Sequence, residues 1–364
     1  MITILKHQLG LISSPKIVPF IGFGNKTRTY LTGEVIEENG ISKPKEGQAK
    51  WQNIKAMLRR YFSKELEGIK VRVTYGGMSQ EAETDKHGIY RCHFNHAESE
   101  QGDTWKKATV SLVDERYPGT EGVEGEVMQI IHNPPFGIIS DIDDTILVSY
   151  ATQKFMKIRL MLLNNAFSRM PFEGVSAFYQ ALQKGTDNNS YNPIFYVSNS
   201  EWNLYDLLYE FIQYHRIPKG PLLLRELTIR FMRPWKFMEV NKNHKSEVIR
   251  MLFTLFDDLK FILIGESGQK DPEVYSQIVR EFPGRVLAIY IRDAGISENL
   301  TRIEVISQQV LQEFKTEMIV VKDTETAALH AIEKGFISKD NFILIQQEKD
   351  RDVRKKDKRA ERLI

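Results

Sequence analysis

Three polar stretches in the second half of the sequence have residue types that could do chemistry, and each directly follows an apolar run. The first, SDIDDT at 140–145, comes after the run 136–139. Its carboxylates, spaced by one residue, can act as a nucleophile (Asp141) and as an acid that protonates a leaving oxygen (Asp143). A third carboxylate, Asp144, would be repelled unless a divalent cation shared the site. The alternative is an acidic turn or calcium loop, although the glycine and terminal glutamate of a calcium loop are missing.

The second stretch follows the run 194–197 and contains Ser198, Asn199 and Ser200, ahead of a predicted helix. A hydroxyl together with backbone N–H groups at a helix N-terminus can hold a phosphate group. The alternative is an ordinary helix-capping serine. This segment alone favours the capping serine.

The third stretch, GESGQKD at 265–271, follows the run 261–264. Gly265 lets the backbone approach a ligand closely, and Glu266 and Asp271 can bind a hard cation through oxygen. Just upstream, Lys245 begins a predicted helix, at the end where the helix dipole favours anions. An anion held nearby would explain a lysine at that position.

The elements that must position these stretches begin at Pro134. Apolar runs at 136–139, 194–197, 261–264, 286–291 and 318–321 alternate with predicted helices at 172–182, 202–214, 245–256, 272–281 and 324–334. This alternation predicts a parallel sheet covered on both faces by helices. Because ligands bind at the carboxyl ends of such strands, the three polar stretches should meet at one edge of the sheet.

The first third of the sequence has a different pattern. Short β-type runs at 31–36, 69–75 and 108–113 and a helical interlude at 51–62 predict an antiparallel β-sandwich with a helical insertion. The turn TDKHG at 84–88 resembles the transthyretin-like or carboxypeptidase-regulatory β-domains. The predicted organisation is an accessory β-domain over 1–133, an α/β domain over 134–340 and a charged C-terminal tail over 341–364.

Composition excludes several classes of protein. The chain has 364 residues, 50 basic and 48 acidic, with a formal net charge of +2, so no bulk field attracts nucleic acid. The one cysteine, Cys92, excludes a disulfide framework and thiolate metal clusters. No secretory signal and no run of about 18 apolar residues is visible. We therefore expect an ordered, cytoplasmic protein with no nucleic-acid partner.

Taken in order, the polar stretches resemble the four-motif catalytic set of the haloacid-dehalogenase superfamily. The strings at 139–146, 196–204, 220–225, 264–273 and 286–293 are similar to stretches of the actin-patch phosphatidate phosphatase family. The resemblance covers about 135–334, and the N-terminal third loosely resembles the β-module of bacterial relatives. It implies a haloacid-dehalogenase-like doubly wound parallel sheet after an antiparallel β-sandwich.

The resemblance also implies a Mg²⁺-dependent phosphomonoester hydrolase. Asp141 would form an aspartyl-phosphate, and Asp143 would protonate the leaving alkoxide and then activate water. Ser198 and Lys245 would hold the phosphoryl oxygens. Further phosphate or substrate contacts would come from Thr145, Asn199, Ser200 and Gly265. The Mg²⁺ site would consist of Asp141, Asp143, Glu266 and Asp271.

Two positions depart from the family pattern. Glu266 replaces the usual aspartate, which puts the geometry of the metal site in question because Mg²⁺ demands near-ideal octahedral coordination. Asn199 stands where serine is usual, a change expected to matter less because Ser198 is retained.

The substrate that the resemblance implies is phosphatidate or a related lipid phosphate. The segments 151–170 and 230–238 mix cations with apolar residues, as peripheral contact with the inner face of a membrane would require. Alternatively, the first segment packs its apolar face on the core. Two other functions stay open: a phosphatase of a soluble phosphomonoester or phosphoprotein, and a non-catalytic adaptor with a decayed phosphatase domain.

Overall fold

The structure is a computed structural model that describes residues 15–37, 65–97, 102–117, 122–142, 173–188, 190–225, 244–293, 295 and 297–360. The chain divides into two compact units. The first contains the described residues up to His132 together with Glu201–Leu207, and the second contains the remaining described residues. The predicted helix at 51–62 lies outside the described residues.

The first unit is built on eight strands, as the alternating N-terminal pattern predicts. They are β1 (Pro15–Pro19), β2 (Gly22–Gly24), β3 (Arg28–Glu37), β4 (Lys70–Tyr75), β5 (Met78–Glu83), β6 (Ile89–Asn95), β7 (Trp105–Leu112) and β8 (Val123–Gln129). Hydrogen bonds join them into one sheet, ordered β1-β3-β2-β8-β7-β4-β5, with β6 paired to β3. The ten-residue β3 allows this, because β2 and β1 pair with different parts of it, residues 29–30 and 33–37, while β6 pairs with residues 28–34.

The pairing in this sheet is antiparallel except between β2 and β8, which confirms the predicted antiparallel module. Val35, Val71, Val73 and Val127 are fully buried in its core. Cys92 belongs to the same core, where burial raises the pKa of its thiol to about 12, so it stays protonated at neutral pH. Within the same unit, the Tyr205 hydroxyl accepts a hydrogen bond from the Ile21 backbone N–H at 2.7 Å.

The second unit contains a six-stranded sheet. Its strands are β9 (Gly137–Asp141), β10 (Ile194–Glu201), β11 (Leu222–Arg225), β12 (Phe261–Glu266), β13 (Val286–Arg292) and β14 (Glu317–Val321), in the order β11-β10-β9-β12-β13-β14. The pairs around β9, β12 and β13 are parallel, which confirms the predicted parallel sheet. Strand β9 is central, and Ile138 and Ile139 are fully buried.

The described helices of this unit are α1 (Val175–Lys184), α2 (Tyr205–Tyr214), α3 (His244–Leu255), α4 (Asp271–Glu281), α5 (Ser297–Phe314), α6 (Thr324–Glu333) and α7 (Asp340–Ala360). The first three residues of α2, 205–207, and the short 3₁₀ turn before it, Trp202–Leu204, belong to the first unit. Five of these helices lie within a few residues of the predicted positions. The amphipathic patterns of α1 to α4 and α6 therefore identified them from sequence.

The strand order places a topological switch point at β9. The chain moves from β9 to β10 and β11 on one side, and β12, β13 and β14 lie on the other. In open α/β sheets a crevice forms outside the carboxyl ends of the strands where the order reverses, and ligands bind there. The ends of β9 and β12, at Asp141 and Glu266, flank that crevice.

Three details differ from the sequence analysis. Strand β10 continues to Glu201, so Ser198, Asn199 and Ser200 lie in the extension of the strand and not at the start of a helix. Helix α4 begins at Asp271, one residue before the predicted start. The strand β11 and the helix α5 were not predicted.

Among the described helices, none combines the length and the apolar character needed to cross a membrane.

The buried centre of the parallel sheet should contribute to the stability of the second unit. Replacing Ile139 by alanine removes a side chain with 0% exposure and leaves a cavity, which typically costs about 2–5 kcal/mol. We expect a matching fall in the free energy of unfolding measured by urea denaturation. Ile343→Ala is the control, since Ile343 on α7 is 58% exposed and its loss should change stability by no more than about 0.5 kcal/mol.

Candidate active site at the carboxyl edge of the parallel sheet

The site lies where β9 and β12 end side by side. These strands pair in parallel, with Ile264 opposite Ser140, so the residues that follow emerge at the same edge. Asp141 ends β9 and Glu266 ends β12. The sequence prediction that the first and third polar stretches meet here is borne out by this register.

Lys245, at the second position of α3, joins the two stretches. Its ammonium lies 3.0 Å from Oδ1 of Asp141 and 2.5 Å from Oδ1 of Asp271. The three side chains are 5%, 4% and 1% exposed, respectively. Buried charges are tolerated only when they are paired and hydrogen-bonded, so the lysine makes it possible for two carboxylates to share this edge.

Asp271 is held on both of its oxygens. Oδ1 pairs with Lys245, and Oδ2 accepts a hydrogen bond from the Glu266 backbone N–H at 2.9 Å. Gly265 is required for this arrangement, because a Cβ atom at that position would lie 2.5 Å from Asp271 Oδ2 and 2.7 Å from its Cβ. Gly265 therefore allows the Asp271 side chain to lie close to the backbone, in addition to any ligand that approaches it.

Gln269 belongs to the third polar stretch, and the sequence analysis assigned it no role. The structure places it in the site. Its Nε2 donates to Oδ2 of Asp141 at 3.2 Å, and its Oε1 accepts from Lys245 Nζ at 3.5 Å. An uncharged glutamine in a polar loop gives no sequence signal for such a contact. Only the fold of the loop brings it to Asp141.

Glu266 faces a cation on the neighbouring strand. The register of β12 and β13 puts Glu266 opposite Arg292, and Glu266 Oε2 lies 3.8 Å from Arg292 Nη1. Both residues line a cavity of about 50 Å³ together with Asp141. The other lining groups include Tyr179, Tyr290 and Asp323 and the apolar side chains of Val175, Phe178 and Val321. Space of this size holds only a few water-sized groups.

Tyr179 on α1 lines this cavity and contacts β9 next to Asp141. Its hydroxyl lies 2.8 Å from Oγ of Ser140, the residue before Asp141. Burial raises the pKa of Tyr179 to about 12, so the phenol is protonated at neutral pH. The Ser140–Tyr179 hydrogen bond therefore ties α1 to the strand that ends in Asp141.

The start of α3 lies close to the second polar stretch, near the same edge of the sheet. Ser198 is fully buried, and its Oγ accepts a hydrogen bond from the Ser200 backbone N–H at 2.9 Å. Asn199 is exposed and Ser200 is half-buried. His244, directly before Lys245, lies close to the backbone of Ser198 and Leu223. The start of α3 thus brings Lys245 and the Ser198 segment into the same region.

His244 is a buried histidine that sequence reasoning did not single out. Burial lowers its pKa to about 4, and the charges of Arg225 and Lys245 act in the same direction. Among the residues that the structure describes, neither ring nitrogen has a partner at hydrogen-bond distance and angle. The ring is therefore neutral at pH 7, which avoids a second buried cation next to Lys245.

The carboxylates present fit a hard divalent cation only in part. Asp141 and Glu266 offer oxygen donors at the mouth of the cavity, and oxygen is the donor that Mg²⁺ prefers. Asp271 fits less well, because both its oxygens already accept from Lys245 and a backbone N–H. No group of three potential metal-ligating side chains occurs within the part of the chain that the structure describes. Asp143 and Thr145, predicted for this site, lie outside that part.

The fold and the site define a class of protein: an α/β protein with buried, lysine-paired carboxylates at the switch point of a parallel sheet. Residues 136–293 match the family model described as "Phosphatidate phosphatase APP1, catalytic domain". The match of this segment to the family model confirms the resemblance found in the motifs. The matched range contains Asp141, Lys245, Gln269 and Asp271.

Two curated proteins are each similar to 157 residues of the chain. Phosphatidate phosphatase APP1 of Saccharomyces cerevisiae is 34% identical over 157 residues, which is 43% of this chain and 25% of that protein. The uncharacterized protein C29B5.04c of Schizosaccharomyces pombe is 29% identical, with the same coverage of both chains. The chain thus spans about a quarter of the length of these relatives.

Similarity to solved structures is low. The carbohydrate acetylesterase XAC1771 from Xanthomonas citri superimposes with a TM-score of 0.27 and 11% identity, covering 75% of this chain and 68% of that one. So low a score supports no conclusion about fold or function.

Lys245→Met tests whether the lysine holds the site together. The change leaves Asp141 and Asp271 buried without their shared cation, and breaking a buried ion pair in this way costs about 3–5 kcal/mol. We expect a fall of that size in the free energy of unfolding from urea titration. The exposed Lys339→Met is the control and should change stability little. Equal stability of the two variants would contradict the bridging role of Lys245.

His244 should make stability depend on pH. Its pKa is about 4 in the folded state and near 6.5 in the unfolded state, so between these values only the unfolded state binds the proton. The unit should therefore lose stability as the pH falls from 6.5 to 4, by on the order of 3 kcal/mol at most. His244→Gln should flatten this slope in urea titrations, whereas the exposed His93→Gln should not. Identical slopes in all three proteins would show that His244 is not the group responsible.

Proposed function

We propose that this chain is a phosphatidate phosphatase-like hydrolase that cleaves phosphomonoesters with Asp141 as the nucleophile. The observation that supports this best is the buried Lys245 held between Asp141 and Asp271 at the switch point of the sheet. Burying such a cluster costs free energy, and buried groups of charged side chains in a cleft are typical of functional sites. A haloacid-dehalogenase-like mechanism and Mg²⁺ dependence are part of the proposal.

The proposed reaction has two steps. An oxygen of Asp141 attacks phosphorus, the bond to the leaving oxygen breaks, and the leaving alkoxide takes a proton from Asp143. Water then attacks the aspartyl-phosphate, Asp143 accepts a proton from it, and phosphate leaves with Asp141 regenerated. The role of Asp143 rests on the family resemblance, since the residue lies outside the described part of the chain.

The groups around Asp141 suit the first step. Lys245 contacts Asp141 Oδ1 and can exchange this contact for a phosphoryl oxygen, where its charge offsets that of the incoming dianion. Asp271 keeps the ammonium in place during that exchange because it holds Lys245 from the other side. Ser198 and the backbone that follows would supply neutral donors to the same oxygens.

A bound Mg²⁺ would offset the charge of the phosphate and of the carboxylates. In this chain Asp141 and Glu266 would hold it, with Asp143 as a further donor. Glu266 would have to give up its contact with Arg292, which the structure records at 3.8 Å. The arginine is then available to an anionic group in the cavity.

The proposed substrate is phosphatidate or a related lipid phosphate, with peripheral contact at an anionic membrane. The support is the similarity to the yeast phosphatidate phosphatase and the family-model match over 136–293, a range that includes the described site residues. The cavity beside Asp141 has room only for small groups, so the acyl chains of such a substrate would remain outside it. The two basic apolar segments, 151–170 and 230–238, lie outside the described residues.

Asp141→Asn should abolish turnover without unfolding the protein, because asparagine keeps the shape of the side chain but is a poor nucleophile. Hydrolysis would be measured on phosphatidate in mixed micelles and on p-nitrophenyl phosphate, each with and without Mg²⁺. We expect wild type to release phosphate from the lipid only with Mg²⁺, and the exposed Asp258→Asn to match wild type.

Three other outcomes would favour an alternative function or contradict the proposed mechanism. Turnover of p-nitrophenyl phosphate alone would favour a soluble substrate. No turnover of either substrate by the wild type would favour a binding adaptor. Wild-type activity in Asp141→Asn would overturn the proposed mechanism.

A further inference from the structure

We infer that Gln269 is a positioning residue for Asp141, which it orients through a hydrogen bond to the second carboxylate oxygen. The inference deepens the proposed function and rests on it. Its structural basis is a closed ring of three side chains, Asp141, Lys245 and Gln269, in which each contacts the other two.

The ring gives each oxygen of Asp141 its own partner. Oδ1 lies 3.0 Å from the Lys245 ammonium, and Oδ2 accepts from Gln269 Nε2 at 3.2 Å. The carboxyl-bearing torsion of aspartate is broad and only weakly restricted by its own sterics. Two donors on different oxygens therefore fix the plane of the carboxylate, and the Gln269 contact on Oδ2 is the one that remains when Lys245 moves to a phosphoryl oxygen.

Orientation matters because the attacking oxygen must lie in line with the bond that breaks. Reactive geometry requires the reacting atoms at about 3–3.5 Å with their orbitals aligned, and small misplacements cost large factors in rate. An amide is well suited to this task because it donates a hydrogen bond without adding charge. A second cation would draw charge away from the nucleophile, and a carboxylate would repel it.

The loop that carries Gln269 is itself fixed from two sides. Arg302 on α5 pairs with Glu273 at 2.8 Å and donates to the Gln269 backbone carbonyl at 3.4 Å. The Ser267 backbone N–H donates to the Arg292 carbonyl on β13 at 2.8 Å. The amide of Gln269 is thus presented to Asp141 by a loop with defined neighbours on both α5 and β13.

The discriminating change is Gln269→Glu, which keeps the shape and the oxygen facing Lys245 but replaces the donor to Asp141. Gln269→Leu removes both contacts. We expect kcat of each variant to fall by about tenfold or more while KM stays within about twofold, as loss of an orienting hydrogen bond predicts. The substrate is whichever of p-nitrophenyl phosphate and micellar phosphatidate the wild type hydrolyses. Gln277→Leu, exposed on α4, is the control and should behave as wild type.

A second measurement is independent of activity. A double-mutant cycle with Asp141→Ala and Gln269→Leu compares the shifts in urea midpoint of the single and double variants. If the two side chains interact as the structure shows, the shifts should not add. Additive shifts would overturn the contact on which the inference depends.

The two measurements separate this inference from the proposed function. An active wild type with unchanged kcat in Gln269→Glu would overturn the role of Gln269 and leave the function standing. A wild type inactive on both substrates would overturn the proposed function, and the cycle would then decide the Gln269–Asp141 contact alone. A loss in kcat together with non-additive shifts supports the inference.

Discussion

The second unit depends most on the pairing of one buried ammonium with two buried carboxylates. Lys245 comes from the start of α3, Asp141 from the end of β9 and Asp271 from the start of α4, so the ion cluster fixes three separate elements at one point. Removing Lys245 leaves two unpaired carboxylates in a site with almost no exposure to water. The same property makes the cluster useful: a lysine held in place by one carboxylate can be transferred from the other to an incoming anion.

Several local features follow from that constraint. Position 265 must be glycine because the Asp271 carboxylate occupies the space of a side chain there. His244 must stay neutral, which its burial ensures by lowering the pKa to about 4. Glu266, one methylene longer than the aspartate usual in the family, reaches Arg292 directly across from it on β13. The longer side chain thus has a partner in this chain. A metal ion bound by Glu266 would compete with Arg292 for the Glu266 carboxylate.

Much of the fold could be predicted from sequence because the parallel strands are buried on both faces and appear as uninterrupted apolar runs. These runs identified strands β9, β12 and β13, and amphipathic patterns identified helices α3 and α4. The strand β11 has only four residues, too few to give a clear pattern. Helix α5 was also missed, although Leu300, Ile303, Ile306, Val310 and Phe314 recur at helical spacing along it. Ser198 was placed at a helix start because polar residues follow the apolar run, whereas backbone pairing carries β10 on to Glu201. Local composition does not show where a strand ends.

The sequence by itself determined the class of fold and the chemical types available at the site: aspartates after one strand, an acidic glycine loop after another, and a lysine at a helix start. These are local properties, fixed by residue type and by periodicity along the chain. Only the tertiary structure decided which of these groups touch. Asp271 was predicted to bind a metal and forms an ion pair with Lys245 in the structure. Gln269 was given no role and donates a hydrogen bond to Asp141. Contacts between residues more than a hundred positions apart depend on strand order and register, which no local pattern records.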